Sequence, residues 1–150
     1  MKTKLLIVTL IAFAIIACNK GQFTSKPQLS FKSINSLTFS QGQVLNFQIN
    51  FTDAEGDIQD TMWIQKVSKT CPSSPGTNFA VKYKVPDFPT TKNLSGYFDI
   101  NFAYNTTSTG YVSITGCGTI NDSSYFRFVL KDKANNVSDT LVSPVITLLK

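Results

Sequence analysis

Residues Leu45-Asn46-Phe47-Gln48-Ile49-Asn50-Phe51 carry an apolar side chain at every odd position and an amide at every even one. A helix, at 3.6 residues per turn, would scatter those four apolar groups around its circumference. A pleated strand puts all of them on one face and the amides on the other. The stretch therefore reads as a strand with one buried face and one wet face, the habit of antiparallel sheets.

The same period recurs along the chain. Phe79, Val81, Tyr83 and Val85 alternate with Lys82 and Lys84; Phe98, Ile100 and Phe102 with Asp99 and Asn101; Phe126, Phe128 and Leu130 with Tyr125 and Arg127. Weaker strands fit 29–39, 61–67, 111–115 and 140–148, the last at a sheet edge because Pro144 has no N–H to give a ladder. Turn chemistry separates the runs at Gln41-Gly42, Glu55-Gly56-Asp57, Pro72–Gly76, Thr109-Gly110 and Asn135-Asn136. Twelve Phe and five Tyr favour strands as well. The expectation is an all-β fold, an antiparallel sandwich of about seven to nine short strands over 29–150.

The first twenty residues follow another rule. Met1–Lys4 is basic, Leu5–Ala17 is apolar apart from Thr9, and Cys18-Asn19-Lys20 follows. The apolar run is shorter than the roughly 20 residues that span a bilayer and fits the core of an export signal. Its end, Ile15-Ile16-Ala17-Cys18, resembles the lipobox of bacterial lipoproteins. That resemblance implies cleavage of a signal peptide, 1–17, before Cys18, and acylation of the Cys18 thiol. It also implies anchoring in the cell envelope through several acyl chains, which hold where one would not. Asn19, with no Asp at that place, resembles the pattern released to the outer membrane. Residues 18–28, polar and containing Pro27, read as the lipidated cysteine and its tether. Taking 17 residues from 150 leaves 133, the size of one domain.

The compartment bears on the cysteines. With Cys18 assigned to lipid, Cys71 and Cys117 form an even pair in an oxidising environment, so a disulfide is expected, with two free thiols as the alternative. The bridge would contribute roughly 3–4 kcal/mol in the chain-entropy view.

Two loops carry chemistry. Phe51-Thr52-Asp53-Ala54-Glu55-Gly56-Asp57-Ile58 places three carboxylates at alternate positions around one glycine. Lys131-Asp132-Lys133-Ala134-Asn135-Asn136-Val137-Ser138-Asp139 joins the last two predicted strands. Carboxylate clusters supply the oxygens that calcium requires. Asp, Asn and Gly are also what turns need on their own account. An apolar strand ending in Asp-x-x-Gly-Asp, with a late strand running into Asp-Lys-Ala-x-Asn-x-Ser, resembles immunoglobulin-like and cadherin-like repeats of bacterial surface proteins. The likeness spans 29–67 and 124–148 and leaves 68–123 without a counterpart. Asn135 stands where many relatives have glycine, and Trp63 resembles the core tryptophan of the immunoglobulin fold. In that fold both loops lie at one end of the sandwich, which would let Asp53, Glu55, Asp57, Asp132 and Asn135 converge on a calcium ion.

Other classes fall away. The chain has no histidine, so Ser-His-Asp and Cys-His catalysis and His-based zinc sites are excluded. No glycine-rich phosphate loop and no CxxC pair occurs, and no enzyme is expected. The formal charge of +5 falls to +3 once Lys2 and Lys4 leave with the signal, and the remaining cations are scattered, so no nucleic-acid partner is expected. The functional expectation is a lipid-anchored envelope module that binds another envelope protein or a polymer. The alternative is a glycan-binding lipoprotein of a nutrient-capture system, with Trp63, Tyr83, Tyr97, Tyr104 and Tyr111 as a stacking platform.

Overall fold

The computed structural model describes residues 23–74 and 77–150. The export signal and Cys18 lie outside the described residues. Ten strands follow in order: β1 (Gln28–Ile34), β2 (Thr38–Phe39), β3 (Val44–Asp53), β4 (Thr61–Ser68), β5 (Phe79–Lys84), β6 (Leu94–Tyr104), β7 (Val112–Ile114), β8 (Asp122–Lys131), β9 (Leu141–Val142) and β10 (Ile146–Leu148). They form two packed sheets. One has the order β1-β3-β6-β7; the other has β2-β10-β8-β4-β5, with β9 also on β8. Reading β1, β3, β4, β6, β8 and β10 as strands A, B, C, E, F and G gives the immunoglobulin-like sandwich, A-B-E against C-F-G.

Alternation built the core as expected. Leu45, Phe47 and Ile49 on β3 and Phe126, Phe128 and Leu130 on β8 have no exposed surface. Their rings interlock across the sheets: the Phe47 centroid lies 4.7 Å from Phe126 and 5.5 Å from Phe128, and Phe102 stacks on Phe126 at 5.3 Å. Burying each such ring stabilises the fold by roughly 1.5–3 kcal/mol.

Four details differ from the sequence reading. The stretches 29–39 and 140–148 each divide in two, which gives ten strands. Pro144 does not mark an edge: β10 lies between β8 and β2, and the proline falls in the break between β9 and β10. At that break the Ser143 hydroxyl oxygen accepts the Phe126 N–H at 2.9 Å, keeping the ladder satisfied. Two pairings, β2 with β10 and β6 with β7, are parallel. Trp63 is not the core tryptophan; Met62 and Ile64 point inward, and Trp63 lies half-buried on the outer face.

A candidate cation site at the loop end

The site grows out of strand parity. On β3 the odd positions face inward, so the register that buries Leu45, Phe47 and Ile49 also carries Asp53 into the sandwich at the last residue of the strand. On β8 the even positions face inward, and the first one past the strand end is Asp132. Both aspartates have 0% exposure. The β3–β4 and β8–β9 loops meet at this end, tied by a hydrogen bond from the Lys133 N–H to the Asp57 carbonyl at 2.9 Å. One carboxylate oxygen from each of Asp53, Asp57 and Asp132 lies within 4.8 Å of the others.

Each loop shapes its own carboxylate. Asp53 Oδ2 accepts the Gly56 N–H at 2.6 Å and the Asp57 N–H at 3.3 Å. Gly56 has φ +71°, and a Cβ there would sit 2.0 Å from the Thr91 carbonyl oxygen, so no other residue fits the turn. Asp132 Oδ1 accepts the Asn136 N–H at 2.7 Å, and its Oδ2 accepts the Asn136 side-chain amide at 2.8 Å. Asn135 takes φ +70° and donates its N–H to the Asp132 carbonyl at 3.2 Å. It serves the turn, and Asn136, which the sequence reading passed over, holds the carboxylate. Glu55 turns outward and accepts the Ser25 hydroxyl at 2.8 Å.

What remains is an excess of acceptors. Among the described residues no donor reaches Asp53 Oδ1 or Asp57 Oδ1, though both atoms are buried. Burial pushes the Asp53 carboxyl above its usual range, and the negative charges of Asp57 and Asp132 push it further. The N–H groups of Gly56 and Asp57 oppose the rise. Gln59, buried beside the loop, donates to the carbonyls of Gly56 and Phe88 and leaves its own Oε1 without a donor. Buried, mutually repelling oxygens without donors are costly alone and suited to a hard cation, which takes oxygen ligands.

The opposite end of the sandwich holds another polar cluster. Cys71 and Cys117 are joined in a disulfide with Cα atoms 5.9 Å apart. Beside it the fully buried Lys66 ammonium lies 2.7 Å from Asp122 Oδ2 and 2.7 Å from the Thr77 carbonyl, while the Ser68 hydroxyl donates to Asp122 Oδ1 at 2.6 Å. Desolvation lowers the Lys66 pKa and Asp122 counters it. Cys71, Cys117 and Asp122 lie close enough for a metal triad, but sulfurs bonded to each other offer no thiolate.

The five candidate aromatics do not share a face. Tyr97 is exposed on the outside of the first sheet with the Lys32 ammonium 3.6 Å above its ring. Trp63 lies on the outside of the second sheet, under Lys82. Tyr104 is buried, its hydroxyl donating to the Leu149 carbonyl at 2.6 Å.

No protein-family profile matches the chain, and no curated protein matches it by sequence. Among solved structures it is similar to Spo0M, the sporulation control protein from Bacillus subtilis, at a TM-score of 0.46 and 6% identity, over 85% of this chain and 51% of that one. The chain thus spans about half the length of Spo0M.

Proposed function

We propose that this chain is a lipid-anchored cell-envelope binding module, held through Cys18, whose loop end is stiffened by a calcium ion on Asp53, Asp57 and Asp132. The observation that carries the calcium reading is the pair of buried, donorless oxygens, Asp53 Oδ1 and Asp57 Oδ1, beside a third carboxylate. The donor set is all oxygen and anionic, the chemistry calcium favours. When bound, the ion supplies charge neutralisation and cross-links the two loops. The protein's own part is to preorganise Asp53 through Gly56 and Asp132 through Asn136. No observation favours the glycan platform, because its aromatics are dispersed. The anchoring reading is carried by the basic start, apolar run and cysteine of the first twenty residues.

Thermal unfolding of the full chain tests the calcium reading. Extracellular modules bind calcium with dissociation constants of roughly 10⁻⁴–10⁻³ M, so 10 mM calcium is expected to raise the midpoint by about 3–10 °C over excess chelator. Asp57→Asn is expected to abolish the rise while raising the midpoint in chelator, because it relieves repulsion. An equal midpoint for the native chain in calcium and in chelator would make the cluster a plain turn.

A further inference from the structure

The sandwich is open along one flank. β5 is the outermost strand of its sheet and pairs only with β4 among the described residues. Across the gap, β7 covers the outer edge of β6 only at Phe102–Tyr104, so among the described residues the earlier part of that strand has no ladder partner on this side. The inward-facing Phe79, Val81, Tyr83, Phe98 and Ile100 are only half-buried here, whereas their counterparts on β3 and β8 are fully covered. Between β4, β5 and β6 lies a largely apolar cavity of about 310 Å³, with Met62 at its floor and Tyr111 at its rim. That is the room of about ten waters, enough for a bulky apolar side chain.

We propose that this flank accepts an extended strand of a partner protein, acidic on its outer face, which pairs with β5 and buries an apolar side chain in the cavity. Two chemistries meet here that only a polypeptide satisfies together. The free edge of β5 presents backbone N–H and C=O groups in the spacing of a ladder, and the slot beneath takes alternate side chains of whatever pairs with it. Charge selects the partner. The outward residues of β5 are Ala80, Lys82 and Lys84. Lys84 pairs with the exposed Asp87, and no carboxylate among the described residues pairs with Lys82. A second copy is disfavoured: an antiparallel β5–β5 register that keeps the apolar faces aligned sets lysines opposite or diagonal to one another. Glutamate or aspartate at the outward positions of an incoming strand turns the same lysines into favourable cross-strand pairs.

The test uses the full chain, isotope-labelled, with two hexapeptides, Glu-Val-Glu-Leu-Glu-Val and Lys-Val-Lys-Leu-Lys-Val. Amide hydrogen exchange and methyl resonances are followed as peptide is added. The acidic peptide is expected to slow exchange of the β5 amides that do not bond β4 and to shift the Met62 and Ile100 methyls. The lysine peptide is expected to bind about tenfold more weakly, and a Lys82→Glu, Lys84→Glu variant to reverse the order. The proposal is overturned if the acidic peptide at millimolar concentration leaves β5 exchange unchanged. It is equally overturned if the methyls shift without β5 protection, which would mark a small-ligand pocket, or if β5 protection rises with protein concentration alone, which would mark self-pairing. Calcium is held constant throughout, so failure here leaves the loop-site reading untouched.

Discussion

The two ends of this sandwich set the same problem and solve it differently. An inward-facing aspartate stands at each end of β8, Asp122 as its first residue and Asp132 just past its last, both fully buried. At the disulfide end Asp122 receives a lysine ammonium and a serine hydroxyl, and the cluster is charge-balanced within the chain. At the loop end Asp132 meets two more carboxylates, and among the described residues no cation pairs with them and oxygens of both neighbours go without donors. The difference teaches what separates a buried charge that is matched internally from the candidate cation site: whether the described chain itself supplies the counter-charge.

The comparison breaks most sharply at Lys66. Lys66→Met strands Asp122 in the core and is expected to cost about 3–5 kcal/mol in chemical denaturation; adding Asp122→Leu is expected to recover most of it. If the single change is nearly neutral, the two ends do not differ as described. Next, a Cys71→Ser, Cys117→Ser variant is expected to lose about 3–4 kcal/mol, since the bridge closes a loop 46 residues apart in sequence.

The loop end is expected to respond to pH in the opposite sense from a salt-bridged carboxylate. Because the folded pKa of Asp53 stands above its usual 3.8, its neutral form is favoured in the fold. Without calcium, its contribution to stability is fully present below 3.8 and is lost as pH rises through the raised folded value. In chelator at neutral pH, Asp53→Asn is therefore expected to unfold at a higher temperature than the native chain, with the gap closing on acidification. In calcium the order is expected to invert. The smallest expected effects separate turn from ligand. Asn135→Ala is expected to cost about 1 kcal/mol, from the left-handed backbone it must hold, and Glu55→Gln under about 0.5 kcal/mol. Neither is expected to change the calcium response.

Much of this was legible because parity propagates. Once 45–51 is a strand, the inward set on β3 includes Asp53, and the same count along β8 reaches Asp132. Parity was not legible on β4, where Met62, Trp63 and Ile64 are all apolar. The inward face there includes Lys66, whose partner Asp122 lies 56 residues away. A buried lysine reads as solvent-facing until that partner is known, and Trp63 was put in the core only by its resemblance to the immunoglobulin tryptophan. Glu55 and Asn135 were placed in the cluster by loop spacing and by the resemblance that put both loops at one end. Spacing cannot show that one side chain reaches back to Ser25 or that the other is consumed by a left-handed turn.

The first described residues run along the loop end. Thr24 accepts the Ala54 N–H at 3.0 Å, the Ser25 hydroxyl donates to Glu55, and Lys26 pairs with Asp139 at 2.6 Å. A lipid on Cys18, as proposed, would leave five residues to Phe23 and a reach of about 17 Å at full stretch. The cation loops would then face the bilayer while the open flank stays turned to the side. A surface potential of about −30 mV concentrates a divalent ion about tenfold at an anionic membrane, an effect that fades over about 8 Å. Occupancy of the three aspartates would then report how closely the domain lies against its own membrane.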